Sequence, residues 1–275
     1  MISVFVFLLI SMLCLSFQSS AQGDLLITPI RVVFEGNKQK ETLNLVNMGK
    51  DTATYSISFV QYNMKEDGSF VSINKPDSGQ RFADPFLRIF PRKVTLSPGE
   101  PQVIMLQCMR KADMPAGEYR SHLYFRAEKS NQPLGLKNTA TDTTKVSVQL
   151  IPVYGISIPV IIRSGAVNIN CTLSNLKMDT QQEIAQNLNL TINRTGNISI
   201  YGNIVIEFIP VKGKPYEIAS VKGVGVYTNI DKRNIVVKLN NTPDKTLTNG
   251  KLHVKYVSND ETKPVVFAEA EMEIN

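Results

Sequence analysis

The chain has 275 residues, a formal net charge of +6, 43% hydrophobic and 20% charged residues, three Cys, two His and no Trp. That length holds more than one ordinary core, and the hydrophobic fraction excludes a disordered or collagen-like chain. Lys and Arg are scattered rather than clustered, which argues against nucleic-acid binding and leaves a mildly basic surface able to steer acidic partners.

The first element is MISVFVFLLISMLCLSFQSSAQ. An uncharged apolar run from Ile2 to Phe17, followed by Ser19-Ser20-Ala21, predicts a secretory signal peptide over 1–21. The other reading is a membrane anchor, for which the run is short against a span of about 20 residues. The mature chain is therefore expected to be soluble and outside the cytoplasm. There Cys108 and Cys171, in different predicted domains, read as buried free thiols rather than a disulfide. With neither a CxxC nor a Cys/His cluster, no metal or cofactor is expected.

From there almost every patterned stretch has period 2, the signature of β-strand. Leu25–Phe34, Thr42–Val46 and Thr52–Tyr62 are predicted strands, with Tyr55, Ile57 and Phe59 on one face of the third. Residues 63–84 are polar and predict a loop or short hairpin. Leu87–Leu96, punctuated by Pro91, and Gln102–Cys108 follow, divided by the turn Ser97-Pro98-Gly99-Glu100. Glu118–Ala127 alternates most clearly: Tyr119, Ser121, Leu123 and Phe125 face one way, Arg120, His122, Tyr124 and Arg126 the other. A Tyr opening such a strand resembles the tyrosine corner of immunoglobulin-like sandwiches, although the absence of Trp excludes the antibody-type core.

The run Lys145–Arg163, KVSVQLIPVYGISIPVIIR, follows a polar loop. Val146, Val148 and Leu150 share one face, and the segment then stays apolar to Ile162. Extended, it reaches roughly 60 Å, longer than an ordinary strand, and Pro152 and Pro159 place it at an edge. A long apolar edge is normally an aggregation hazard. Beyond Arg163 the predicted strands are Val167–Leu173, Leu188–Asn193, Ile198–Ile209, Val224–Tyr227, Ile235–Leu239, Lys251–Val257 and Val265–Ile274. The expectation is an all-β chain of two immunoglobulin-like β-sandwich domains, over 22–162 and 163–275.

Catalytic chemistry finds little support. Both His122 and His253 fall inside strand patterns, where a surface or half-buried role is expected. No Ser or Cys sits in a nucleophile elbow, and no glycine-rich loop joins a strand to a helix, so a binding role is expected rather than an enzyme. Arg31 interrupts the apolar stretch ITPIRVVF. Taken alone it is either an edge-strand cation that discourages pairing or a fork of donors for a carboxylate.

Four segments together resemble the PapD-like periplasmic chaperones of pilus and fimbria assembly. They are the strand ending Arg31-Val32-Val33-Phe34 with the following ETLNLVN, the segment FPRKVTLSPGEPQVIML (Phe90 to Leu106), GEYRSHLYFRA (Gly117 to Ala127), and the Lys145–Arg163 run. In order they span most of residues 24–162. The resemblance implies two sandwiches meeting in an L shape around a cleft. It also implies that Val146, Val148 and Leu150 insert into the groove of an incomplete subunit, a form of β-strand addition. Arg31 occupies the place of an arginine that anchors the subunit's C-terminal carboxylate. The family's accompanying lysine is absent: its counterpart, with the donor residues in register, is Gly155. The implied partners are a pilus, fimbrial or related β-rich subunit and an outer-membrane usher, and the exposed edge suggests self-association. A structural or adhesive two-domain envelope protein, in which the long strand is only a linker, is the alternative.

Overall fold

The computed structural model describes residues 25–128, 154–179, 186–239, 247, 249–260 and 262–274. The signal segment and Val146, Val148 and Leu150 lie outside the described residues. Within them, the alternating apolar positions of the sequence become strands whose inward rows build two separate cores.

The first sandwich contains β1 (Leu25–Thr28), β2 (Val32–Phe34), β3 (Lys40–Asn47), β4 (Ala53–Val60), a hairpin of β5 (Tyr62–Met64) and β6 (Phe70–Ser72), then β7 (Leu87–Phe90), β8 (Lys93–Leu96), β9 (Pro101–Cys108), β10 (Gly117–Ala127) and β11 (Gly155–Ser164). One sheet has the order β1-β3-β9-β7, the other β2-β11-β10-β4-β8. Between them lie Leu43, Leu45, Ile104 and Leu106 from the first sheet and Leu123, Phe125, Val160 and Ile162 from the second, all essentially inaccessible. Burying each such side chain contributes about 1.5–3 kcal/mol.

Two predicted strands divide at prolines. Leu25–Phe34 becomes β1, antiparallel to β3, and β2, which crosses to the other sheet and runs parallel to β11. Leu87–Leu96 likewise becomes β7 in one sheet and β8 in the other. Proline offers no ladder donor, so the chain leaves a sheet at Pro29 and at Pro91, each preceded by a cis peptide bond. The polar region 63–84 contains the β5–β6 hairpin and a single 3-10 turn, Asp84–Phe86.

Tyr119 closes the corner before β10: its hydroxyl donates to the Pro115 carbonyl at 3.1 Å. Tyr119→Phe keeps the buried ring and removes this bond. The expected loss is about 1 kcal/mol in urea denaturation, the net worth of one such hydrogen bond.

The second sandwich contains β12 (Ile169–Asp179), β13 (Asn187–Gly196), β14 (Ile200–Pro210), β15 (Tyr216–Val226), β16 (Lys232–Lys238), β17 (Gly250–Ser258) and β18 (Val266–Ile274). Its sheets are β12-β13-β16 and β15-β14-β17-β18. Each predicted strand of this half has its counterpart, but β12 continues past Leu173 to Asp179. The register shifts between Ser174 and Lys177, where Asn175 takes a positive φ of 55°. Such a bulge breaks the period-2 pattern on which the sequence reading depends. Cys108 and Cys171 are free thiols, each buried in its own core.

β10 departs from its sequence pattern. Its Tyr119, Leu123 and Phe125 face the first core as expected. On the opposite face, where a surface or half-buried place was expected for His122, Glu118 (3% exposed), Arg120 (9%) and His122 (4%) are all buried. The second sandwich and the β5–β6 hairpin cover it, long-range contacts that leave no mark on local alternation.

Candidate functional site at the junction of the two sandwiches

The covered face of β10 is held by charge. Glu118 accepts from Arg120 at 2.6 and 3.1 Å through one carboxylate oxygen. Its other oxygen accepts from the Ser199 backbone N–H at 2.9 Å and the Ser199 hydroxyl at 2.7 Å. Arg120 also donates to the Ser199 hydroxyl at 2.6 Å and lies 3.7 Å over the Tyr227 ring. Burial by itself would raise the Glu118 carboxyl, but Arg120 and the Ser199 hydrogen bonds hold it below the ordinary carboxylate range. Burial likewise opposes the charge on Arg120, and Glu118 more than restores it. Arg163, at the end of β11, pairs with Glu35 and approaches Glu118 at 3.7 Å. The bridge therefore ties β10 and β11 of one sandwich to the start of β14 in the other.

Aromatic packing and a second contact area extend the junction. His122 shares a 3.1 Å hydrogen bond with the Tyr227 hydroxyl and lies among Tyr62, Phe70 and Tyr227. Burial, with Arg120 and Arg31 adding to it, pushes its pKa down to about 3, so the imidazole is neutral at physiological pH. The β5–β6 hairpin reaches across to the loop before β16: Asn229 donates to the Asn63 side chain at 2.8 Å and the Met64 carbonyl at 2.7 Å. The Asn234 N–H donates to the Glu66 carbonyl at 2.7 Å. At Gly79, with φ +76°, a Cβ would stand 2.6 Å from the Thr228 carbonyl oxygen, so the backbones approach closely only because the residue is glycine.

Arg31 opens into this junction. Just before β2, it lines a cavity of about 220 Å³ together with Ile30, Pro159, Tyr201, Tyr227 and Arg233, among others. Its guanidinium stacks 4.5 Å from the Tyr201 ring centroid. Among the described residues it makes no hydrogen bond or ion pair. Burial, then Arg120, lowers its pKa to about 10, so it stays cationic at neutral pH. A half-buried cation stacked on a ring with unused donors is arranged to receive an anion.

Among the described residues, the edge beside Arg31 is open. β11 is paired with β10 along its whole length, from Gly155 to Ser164. On its other side β2 covers only Val160–Ile162. Among the described residues, Gly155–Pro159 has no strand on that flank. Because Val32 pairs with Val160, Arg31 lies level with Pro159. Gly155, the expected counterpart of the family's lysine, is about 13 Å back along the strand. The Tyr124 ring occupies the space beside Gly155 that a side chain there would enter. No lysine therefore stands beside Arg31 on β11, and Arg163 is engaged with Glu35 and Glu118.

Of the sequence-derived site residues, the structure places Arg31 in the interdomain cavity, and Val146, Val148 and Leu150 lie outside the described residues. Sequence reasoning missed Tyr201, Tyr227 and Arg233, which reach the cavity only through docking of the second sandwich. Among the described residues no group of three His, Cys, Asp or Glu side chains could hold a metal ion, and no helix is long and apolar enough to cross a membrane.

The described residues thus form a two-sandwich immunoglobulin-like protein with a cationic pocket at the junction and an open strand edge leading to it. No family model and no curated protein matches the chain. Solved structures similar to it are chaperones. The complex of CsuC with the tip adhesion subunit CsuE, from archaic chaperone-usher Csu pili of Acinetobacter baumannii, is 15% identical with a TM-score of 0.45, covering 89% of this chain and 97% of that one. The CupB2 chaperone of Pseudomonas aeruginosa is 11% identical with a TM-score of 0.44, covering 91% and 100%. The Salmonella enterica SafA pilin in complex with the SafB chaperone is 13% identical with a TM-score of 0.43, covering 93% and 99%.

Proposed function

We propose that the protein is a periplasmic chaperone that holds pilus, fimbrial or related β-rich subunits by donor-strand complementation. The observation that carries this reading is the open flank of β11 over Gly155–Pro159, which ends beside Arg31. Ile156 and Ile158 point into the first core. In an unbroken extended strand Val146, Val148 and Leu150 have the same phase, since side chains repeat every second residue. A strand so extended would carry that inward-facing row on into the groove of a client. The open flank supplies backbone partners, and alternate side chains set the register. Arg31 receives the client's terminal carboxylate at the end of the edge. No nucleotide, metal or other cofactor takes part, and an outer-membrane usher is the partner that would accept the subunit. Self-association would cover the same edge in the absence of a client.

The test is one-to-one co-purification of a β-rich subunit from the periplasm, with the bound chain identified by mass spectrometry. Val148→Asp and Leu150→Asp each place a charge in the client groove and should abolish recovery of that subunit, with the protein's own melting transition unchanged. Variants that hold the subunit as well as the unsubstituted protein would overturn the reading.

A further inference from the structure

Arg31 is not the only cation lining the interdomain cavity. Arg233, the second residue of β16, reaches it from the other sandwich. Its Nη1 donates to the Gly225 carbonyl, and its Nε is buried without a hydrogen-bond partner. The hairpin tip packs over it, since a Cβ at Gly68 would fall 2.4 Å from Arg233 Nη2. Burial lowers the guanidinium pKa, with Tyr256, Tyr227 and Asp67 acting in the opposite direction. Asp67 is committed locally to the Ser69 N–H and hydroxyl, and no ion pair to Arg31 or Arg233 is found among the described residues. Two arginines from different sandwiches therefore line one small cavity, with unused donors and aromatic walls at Tyr201 and Tyr227.

We propose that Arg233 is the second cation of the carboxylate site: one carboxylate is held between Arg31 of the first sandwich and Arg233 of the second. This rests on the chaperone reading above and extends it. The physical case is desolvation. Each guanidinium is held in a partly dry site without an ionic partner, and a carboxylate between them would supply the missing charge and acceptors. A bound carboxylate would then bridge the two sandwiches, so their relative orientation and the grip on the ligand stabilise one another.

Hydrocinnamate is the probe, with the uncharged hydrocinnamamide as control, and the readout is heteronuclear NMR of the arginine Nε–H groups in the purified protein. Expected with hydrocinnamate are shifts of both the Arg31 and Arg233 resonances, with none from the amide. Arg31→Ala and Arg233→Ala should each weaken binding about tenfold or more, and Arg233→Lys should recover part of the loss because it keeps the charge without the fork. Near-UV circular dichroism on each variant separates lost binding from lost fold. If Arg31→Ala loses binding while Arg233→Ala and Arg233→Lys bind as the unsubstituted protein does, the role of Arg233 is overturned and the chaperone reading stands. If neither arginine matters, or the amide binds equally well, the carboxylate site itself fails.

Discussion

Replacing Glu118 with alanine is expected to lower the unfolding free energy by about 3–5 kcal/mol, the cost of stranding a buried charge. Glu118 is 3% exposed and Arg120 9%. Removing the carboxylate leaves the guanidinium with the Ser199 hydroxyl and the Tyr227 face alone, and it also frees the Ser199 N–H. The penalty comes from the orphaned arginine rather than from the worth of the pair. The double change Glu118→Leu with Arg120→Met should therefore lose distinctly less than Glu118→Ala, although it deletes more polar contacts. Urea denaturation of the three proteins decides it. A loss below about 1 kcal/mol for Glu118→Ala would mean that water reaches the bridge and screens it. Because the bridge joins the sandwiches, the unfolding of Glu118→Ala should also become less cooperative, with the two halves melting apart.

Acid should unfold the protein through His122. The folded imidazole has its pKa depressed to about 3, first by burial and then by Arg120 and Arg31, whereas an unfolded histidine titrates near 6.5. Above about pH 6.5 both states are neutral and the stability is complete. Below it the unfolded chain binds a proton that the folded chain refuses, so stability falls by about 1.4 kcal/mol per pH unit as pH drops toward 3. The groups facing His122 are Tyr62, Phe70 and Tyr227 with the two arginines, and its Nδ1 is buried without a hydrogen-bond partner among the described residues. Glu118, also depressed, adds its own loss at lower pH, in the carboxylate range. Measured from pH 6.5 to 5, before carboxylates contribute much, stability should decline for the unsubstituted protein and stay nearly flat for His122→Gln. Equal slopes would show that the histidine is solvated.

The extent to which the site was legible in the sequence follows the range of the forces involved. Alternation in Glu118–Ala127 assigned Tyr119, Leu123 and Phe125 to a core, and they are there, because a strand's side-chain direction is fixed by backbone geometry alone. The same alternation could not say that Glu118, Arg120 and His122 would be buried, since what covers them comes from the β5–β6 hairpin and from Asn197 onward, far off along the chain in either direction. Pro91 was visible as an interruption and Pro29 was not, and the crossing of the chain from one sheet to the other at each was not legible. Arg31 stood out as a charge in an apolar strand, but its value as an anion site depends on Tyr201, Tyr227 and Arg233, which no spacing links to it.

By itself the sequence determined that the chain is all-β, with two sets of strands. Period-2 patterning and turn residues are local properties that the backbone expresses wherever it folds. The tertiary structure alone decided that an ion pair on one sandwich is buried against the other and hydrogen-bonded to its Ser199, that a Tyr124 ring stands over Gly155 where a lysine was expected, and that a second arginine arrives from the other side of the junction. These depend on desolvation and on hydrogen bonds and packing between residues distant in sequence, energies that exist only after the surfaces meet.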